Sequence, residues 1–391
     1  MKLDNLNILV TGGAGLIGSH IVDILLKEHG CSVRVLDALL PPTHQSKVKP
    51  SWVPNEVEFI LGSTCNANDM KLALEGIDVV FHQAASSYLG TQKDSFRHVF
   101  DEAATGTCVM FDVIKDNTLP IKKIVVASSM AVYGCASYLK KDGSEFIPPG
   151  YRSEVRMSKA DFEVYSDDGL ECGPYEIAED RELRPSHPYH IAKFAQEKIT
   201  IAAGRELGIP TVALRYSIVH GPRQSIHNPY AGVLSIFSTR IMNGKAPIVF
   251  EDGNQMRDFV FVEDVARANL CVMMSDSAKW DAFNVGTGRG GDTMGTVANF
   301  MCEYLSRQSD PISPVYNGDF RCSDVRHIVL NPRKLMALGW RPKVTLEEGL
   351  KRHANWVLEI ADHNGGIEDC FGNSYKDMLE KGVIKKTEES E

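Results

Sequence analysis

Gly12, Gly15 and Gly18 stand three residues apart, directly after the apolar run Asn7–Val10 and at the opening of an amphipathic pattern, Leu16–His29. Few arrangements constrain a chain more. The first glycine permits a tight turn out of a strand. The second lets a ligand's phosphates approach the backbone, and the third lets helix and strand pack closely. A helix that starts there presents its positive end to any anion the turn admits.

The alternation continues. Val33–Leu36, Val57–Leu61, Val79–His82, Lys123–Ala127 and Thr211–Tyr216 read as strands, and Val99–Lys115 and Tyr189–Leu207 as helices. Buried strands alternating with helices predict an α/β chain built on a Rossmann-type doubly wound parallel sheet. This domain is expected over 1–219, with a long polar insertion at 137–184 in which no period is sustained. From 220 to 358 the pattern reads mainly as a smaller mixed α/β substrate-binding domain, with 264–288 able to return to the first domain. The polar stretch 359–391 reads as a frayed tail.

Composition narrows the partners. The net charge of −9 argues against nucleic acid or an anionic membrane surface. Nine cysteines without a Cys-x-x-Cys pair read as reduced thiols, and no metal site is expected. No stretch is long enough to span a bilayer and no signal segment opens the chain, so the expected location is the cytoplasm.

Asp37 lies nineteen residues beyond Gly18, at the end of the second predicted strand. A carboxylate there accepts both hydroxyls of an adenosine ribose and repels a 2′-phosphate, so the glycine turn and Asp37 together predict NAD as cofactor. A glycine turn that binds nothing is the alternative.

Tyr189 and Lys193 are four apart, on one helix face. A phenol becomes a usable base when a nearby cation favours its phenolate. The strand Lys123–Ala127 runs into Ser128-Ser129, and the carboxyl ends of parallel strands face the ligand crevice. Ser129 is therefore placed to bond a substrate hydroxyl beside Tyr189, or simply to cap its strand. His82 and His190 read as structural.

The motifs Gly12-x-x-Gly15-x-x-Gly18, Phe81-His82-Gln83-Ala84-Ala85, Ser128-Ser129 through Val132-Tyr133-Gly134, Tyr189-x-x-x-Lys193, Leu214-Arg215-Tyr216 and Gly221-Pro222-Arg223 resemble the extended short-chain dehydrogenase/reductases. With Asp252 to Val260, Phe283 to Gly288 and Leu338-Gly339-Trp340-x-Pro342, they are similar to the nucleotide-sugar epimerases and dehydratases within that family, over roughly 6–355. The resemblance implies catalysis by Ser129, Tyr189 and Lys193. It implies cofactor contacts from Gly12, Gly15, Leu16, Ile17, Asp37, Ser63, Thr64, Gln83, Ala84, Ala85, Ser87, Tyr189, Lys193 and Ser217. A nucleotide-diphosphate sugar would meet Ser87, Ser129, Tyr189, Ile218, Asn228 and Asp324, with Arg257 and Arg321 on its diphosphate; either arginine could equally form a surface salt bridge. The chain departs from the family pattern at Ser63, where an Asp is usual, and at Ala103 and Ile218, where an Asn is common. The family also pairs helices near Val99–Lys115 and Tyr189–Leu207 across a two-fold axis, which implies a homodimer.

The residues after Ser129 select among reactions. Family dehydratases carry Asp-Glu there and decarboxylases a Glu, whereas 3,5-epimerases use a cysteine where Ala131 stands. Met130 and Ala131 transfer no proton. Hydride chemistry remains, which implies 4-epimerisation. Arg215 to Ser225 and the insertion look like the branch that acts on dTDP-L-rhamnose, with UDP-hexose 4-epimerisation as the alternative. A net dehydrogenase of a free alcohol and a non-catalytic NAD-binding protein are further alternatives.

Overall fold

The computed structural model describes residues 1–85, 96–228, 232–369 and 371–388. Strand β1 (Asn7–Thr11) feeds helix α1 (Leu16–His29), followed by β2 (Ser32–Asp37), β3 (Glu58–Leu61), α2 (Ala67–Leu74) and β4 (Val79–His82). A longer helical stretch runs as α3 (Phe96–Phe100), one π turn (Asp101–Thr105) and α4 (Gly106–Asp116) into β5 (Lys123–Ser129). The insertion supplies β6 (Ser137–Leu139), β7 (Glu145–Phe146), α5 (Glu154–Met157) and β8 (Gly173–Tyr175). After it come α6 (Pro188–Glu206), β9 (Thr211–Tyr216), β10 (Ile218–His220) and α7 (Val233–Met242). Short strands β11 (Ile248–Val249), β12 (Met256–Arg257) and β13 (Phe259–Phe261) lead into α8 (Val262–Met274) and β14 (Asp281–Val285).

Seven of these strands form one parallel sheet in the order β14-β9-β5-β4-β1-β2-β3. The chain winds outward from β1 in both directions, so a crevice opens between the carboxyl ends of β1 and β4. Strand alternation divides the core. Ile8, Val10, Val35, Phe81 and Val125 pack on the face covered by α1 and α8. Leu9, Leu36, Val80 and Ile124 pack with Met110 and Ile114 of α4 on the other. Burying each such side chain contributes roughly 1.5–3 kcal/mol. Helix α8 lies against α1, and β14 pairs with β9 as the sheet's last strand.

The insertion is structured: β6 pairs antiparallel with β7 and β8, and Tyr138, Phe146, Val164 and Cys172 pack with Ile328 and Leu330. Strands of two or three residues are too short to leave a period in the sequence. Its ends close on each other: Arg184 N donates to Tyr133 O at 3.4 Å, and a Cβ on Gly134, whose φ is +74°, would sit 1.7 Å from the Arg184 carbonyl.

The stretch from 359 is also not a frayed tail. Helix α11, which follows α9 (Met294–Leu305) and α10 (Arg333–Met336), spans Leu346–Asn364 and so crosses position 359. Helix α12 (Phe371–Glu380) buries Phe371 and Met378, and Ile384 beyond it, against Ile236, Ile248 and Phe250. Phe371, Tyr375, Met378 and Leu379 form the apolar stripe that holds it down. No helix of the described residues is long and apolar enough to cross a membrane.

Candidate active site

A cavity of about 280 Å³ opens at the carboxyl ends of β1, β2 and β4. Of the residues expected to hold the cofactor, Gly12, Gly15, Leu16, Ile17, Asp37, Thr64, Gln83, Ala84 and Ala85 line it. Helix α1 begins without a side-chain cap and without an acid in its first turn, so its free N–H groups suit a phosphate. A Cβ on Gly18 would lie 2.2 Å from the Gly12 carbonyl, which makes the third glycine a packing requirement. Asp37 is fixed by Ala14 N at 3.0 Å and Leu39 N at 2.9 Å; each oxygen keeps a lone pair for a ribose hydroxyl.

The other expected contacts are placed differently. The Ser63 hydroxyl accepts from Cys65 N at 3.2 Å within its own turn, and the cavity wall there is Gly62 and Thr64. Gln83 lines the cavity, but its amide is held by Asn269 and Tyr216. The Ser217 hydroxyl donates to Asp258 O at 2.6 Å, outside the lining. Ser87 lies outside the described residues. Pro41, Pro42 and His44 after β2, and Arg223, Gln224 and Ser225 after β10, complete the wall. The motif Gly221-Pro222-Arg223 carries no spacing that points to the cofactor, and the fold brings its arginine to the cavity.

Ser129, Tyr189 and Lys193 gather at the end of β5. Ser129 ends the strand and accepts from Ala131 N at 3.2 Å, opening the short 3₁₀ turn Met130–Tyr133. Tyr189 sits in the first turn of α6, where His187 caps the helix and Pro188 occupies its first position. Burial pushes the Tyr189 phenol up, and a hydrogen bond from Ser129 pulls it down. Lys193 is enclosed, and burial draws its ammonium down to about 7. Its Nζ donates to Ala127 O at 2.8 Å and to Gln196 Oε1 at 2.9 Å.

Behind Lys193 a buried chain of hydrogen bonds runs back to the glycine turn. Gln196 Nε2 donates to Thr107 Oγ1 at 3.1 Å, and Thr107 donates to Ala103 O at 2.7 Å. With its proton so engaged, Thr107 accepts from His82 Nε2 at 2.9 Å. His82 Nδ1 must then accept from Thr11 Oγ1 at 2.8 Å, and Thr11 accepts from Ala84 N at 3.2 Å. This assigns one neutral tautomer to His82. Burial and the charge of Lys193 hold its pKa down to about 3. The ring is structural, and it ties the cavity wall at Ala84 to the lysine.

On the substrate side, Arg257 commits three N–H bonds to the carbonyls of Met256, Arg326 and Val325. It braces the segment that carries Arg321 and Asp324, which themselves approach to 3.9 Å. Arg321 lies over the Phe250 ring at 5.0 Å, and its Nε has no partner among the described residues. Asn228 is buried, and Ile218 is half-buried beside Asp258. A second cavity, of about 240 Å³, lies between the insertion and 322–325 and reaches Ser186 and Asp324.

The model of the NAD dependent epimerase/dehydratase family matches residues 8–286. The chain belongs to this family. Its members are NAD-dependent, and two curated relatives at 30% identity or more carry the names of nucleotide-sugar 4-epimerases, which are isomerases. A dTDP-L-rhamnose 4-epimerase from Burkholderia thailandensis is 30% identical over 92% of this chain and 97% of its own length. A putative UDP-glucose 4-epimerase from Methanocaldococcus jannaschii is 32% identical over 90% and 98%. Among solved structures, UDP-glucose 4-epimerase from Thermotoga maritima with UDP-glucose superposes with a TM-score of 0.71 at 30% identity, covering 91% of this chain and 99% of that one.

Family motifs could not announce the buried ion cluster that holds the insertion. Arg326 is fully buried and bonds Glu163 at 2.6 Å, Glu251 at 2.7 Å and Asp252 at 2.7 Å. Arg152 pairs with Glu251 as well and donates to Asp324 O at 2.8 Å. A hydrogen bond from His327, followed by the Arg326 guanidinium, holds Glu163 down to about 2, and against burial Arg326 and Asn254 hold Asp252 down to about 2. Arg152 and Glu163 belong to the insertion, so the cluster fixes it against the segment bearing Asp324.

Proposed function

We propose that this epimerase inverts carbon 4 of a nucleotide-diphosphate sugar through a transient 4-keto intermediate, with dTDP-L-rhamnose and dTDP-6-deoxy-L-talose as the pair interconverted. The observation that carries the reading is the trio Ser129, Tyr189 and Lys193 with Met130 and Ala131, not acids, directly after Ser129. Bound NAD supplies the acceptor and then the donor of the hydride. Tyr189 removes the proton of the carbon-4 hydroxyl and later returns it; Ser129 orients that hydroxyl and stabilises the phenolate. Lys193 keeps positive charge near the phenol. No residue beside Ser129 can expel water or a carboxylate, so the 4-keto sugar turns over in the site and is reduced from its other face.

Arg321 and Asp324 form the end of the site that receives the diphosphate and ribose, with Arg257 bracing them. The half-buried Ile218, with Met130 close to Ser217 at 3.7 Å, presents apolar surface suited to the methyl of a 6-deoxy sugar. Likeness to the Burkholderia enzyme supports the same substrate. The exposed Phe96, Phe100 and Ile191 on α3 and α6 offer apolar surface for a second copy, giving a homodimer. The described cysteines are free thiols, in keeping with a cytoplasmic enzyme.

The test is incubation of the purified protein with dTDP-L-rhamnose, and separately with UDP-glucose, without and with added NAD, followed by NMR. A 4-epimer of dTDP-L-rhamnose is expected without net NADH. Conversion of UDP-glucose alone would move the substrate to the hexoses, and no epimer from either would end the 4-epimerase reading. Ile218→Asn should weaken the 6-deoxy substrate relative to the hexose. Light scattering should give twice the chain mass.

A further inference from the structure

Arg223 stands out from the other residues around the cofactor cavity. It follows β10 at φ +69°, a left-handed conformation that a side-chain-bearing residue keeps only where its surroundings impose it. Its Nη2 donates to Asp23 on α1 at 2.8 Å. Its Nη1 is enclosed and has no acceptor among the described residues. A guanidinium nitrogen buried without a partner is costly, and native sites rarely leave one so.

The position of this orphan donor points to what it lacks. Arg223 lines the same cavity as Gly12, Gly15 and the first turn of α1, where the backbone is built to take phosphate. It is the one lysine or arginine among the described residues lining that cavity, whose acids are Asp37 and Glu102. A pyrophosphate entering there brings two negative charges and meets helix N–H groups, which carry only partial positive charge. The ion pair to Asp23 aims the side chain from the flank of α1. The Ser225 hydroxyl donates to Pro42 O at 3.4 Å and joins the Arg223 loop to the loop after β2, across the cavity.

We propose that Arg223 is a cofactor-binding residue whose Nη1 donates a charge-assisted hydrogen bond to the NAD pyrophosphate, with Asp23 as the residue that positions it. The bond completes a donor the fold leaves unmatched, and it draws the post-β10 loop onto the dinucleotide. The inference rests on the cofactor site alone and is independent of which sugar is epimerised.

The experiment compares two ligands that differ in phosphate. Nucleotide-free protein is titrated calorimetrically with ADP-ribose, which carries the pyrophosphate, and with adenosine, which carries only base and ribose. Arg223→Met should weaken ADP-ribose at least tenfold and adenosine less than twofold, and NAD should no longer accompany the protein through purification. Asp23→Asn keeps the cation and should weaken ADP-ribose by a smaller factor. Equal weakening of both ligands by Arg223→Met, or identical behaviour of the two variants, would make the arginine a loop anchor and overturn the proposal. So would unchanged ADP-ribose affinity.

Discussion

Lys193 and Gln196 lie three residues apart on α6, and the lysine ammonium donates to the glutamine side-chain oxygen at 2.9 Å. The amide oxygen favours the charged lysine, and burial opposes it, holding the ammonium at about 7. Gln196→Leu removes the favourable partner and should lower that pKa further. In the proposed mechanism activity depends on the cation, so the alkaline limb of kcat against pH should move to lower pH. Gln196→Glu adds a negative charge and should move the limb upward. An alkaline limb that stays fixed in both variants would show that the lysine charge does not set it.

Tyr189→Phe removes the group proposed to exchange a proton with the substrate hydroxyl. General acid–base catalysis of this kind is worth roughly 10²–10⁴ in rate. The variant should lose kcat by that factor and keep its NAD, because Tyr189 lies outside the described lining of the cofactor cavity. Ser129→Ala should cost less and raise the pH of the acid limb, since the Ser129 hydroxyl pulls the phenol down. Stopped-flow kinetics with NAD content measured in parallel checks both.

Five histidines are held neutral by burial: His20 at about 4, His82 at about 3, His190 at about 4, His220 at about 3 and His353 at about 4. Each is depressed from an ordinary 6.5, so between pH 6.5 and 4 the unfolded chain binds protons that the folded chain refuses. Stability therefore falls as pH drops through that window. His220 adds to the effect, because its ring is buried edge-on against Phe259 and Phe261 and the neighbouring His353 lowers it further. Urea midpoints should decline steeply below pH 6.5, with several protons taken up on unfolding. A midpoint that is flat from pH 7 to 5 would contradict these burials.

Arg326→Met would leave Glu163, Glu251 and Asp252 facing one another without the cation that joins them. Breaking a buried pair in this way costs about 3–5 kcal/mol. Arg152→Met should be milder, since Glu251 retains Arg326. Denaturant unfolding ranks the two, and limited proteolysis should cut the Arg326 variant first within 137–184.

Much of the site could be read before folding because its chemistry depends on local spacing. The glycines at Gly12, Gly15 and Gly18 and the pair Tyr189 and Lys193 act across single turns, where separation along the chain sets separation in space. The sheet was legible for the same reason, since each strand carries its own apolar run. Arg326 was not, because a lone arginine among Ser323, Asp324 and His327 looks solvated until Glu163 and Glu251 arrive from distant segments. The motif around Arg257 points to phosphate or a surface salt bridge, yet three of its N–H groups serve backbone carbonyls, a choice set by how 325–326 folds back. The insertion and α12 escaped because their stripes are short and are completed by residues from other segments, Leu330 and Ile236 among them.

The contact between Gly134 and the Arg184 carbonyl has a consequence for how this enzyme could be rebuilt. A chain excursion that leaves and re-enters at one point behaves as a cassette. It can be exchanged while Ser129 upstream and Tyr189 downstream keep their places, provided the replacement again supplies partners for the buried Arg326 and Glu251. Selectivity could then be altered by transplanting the stretch between those two residues, with the catalytic helix left untouched.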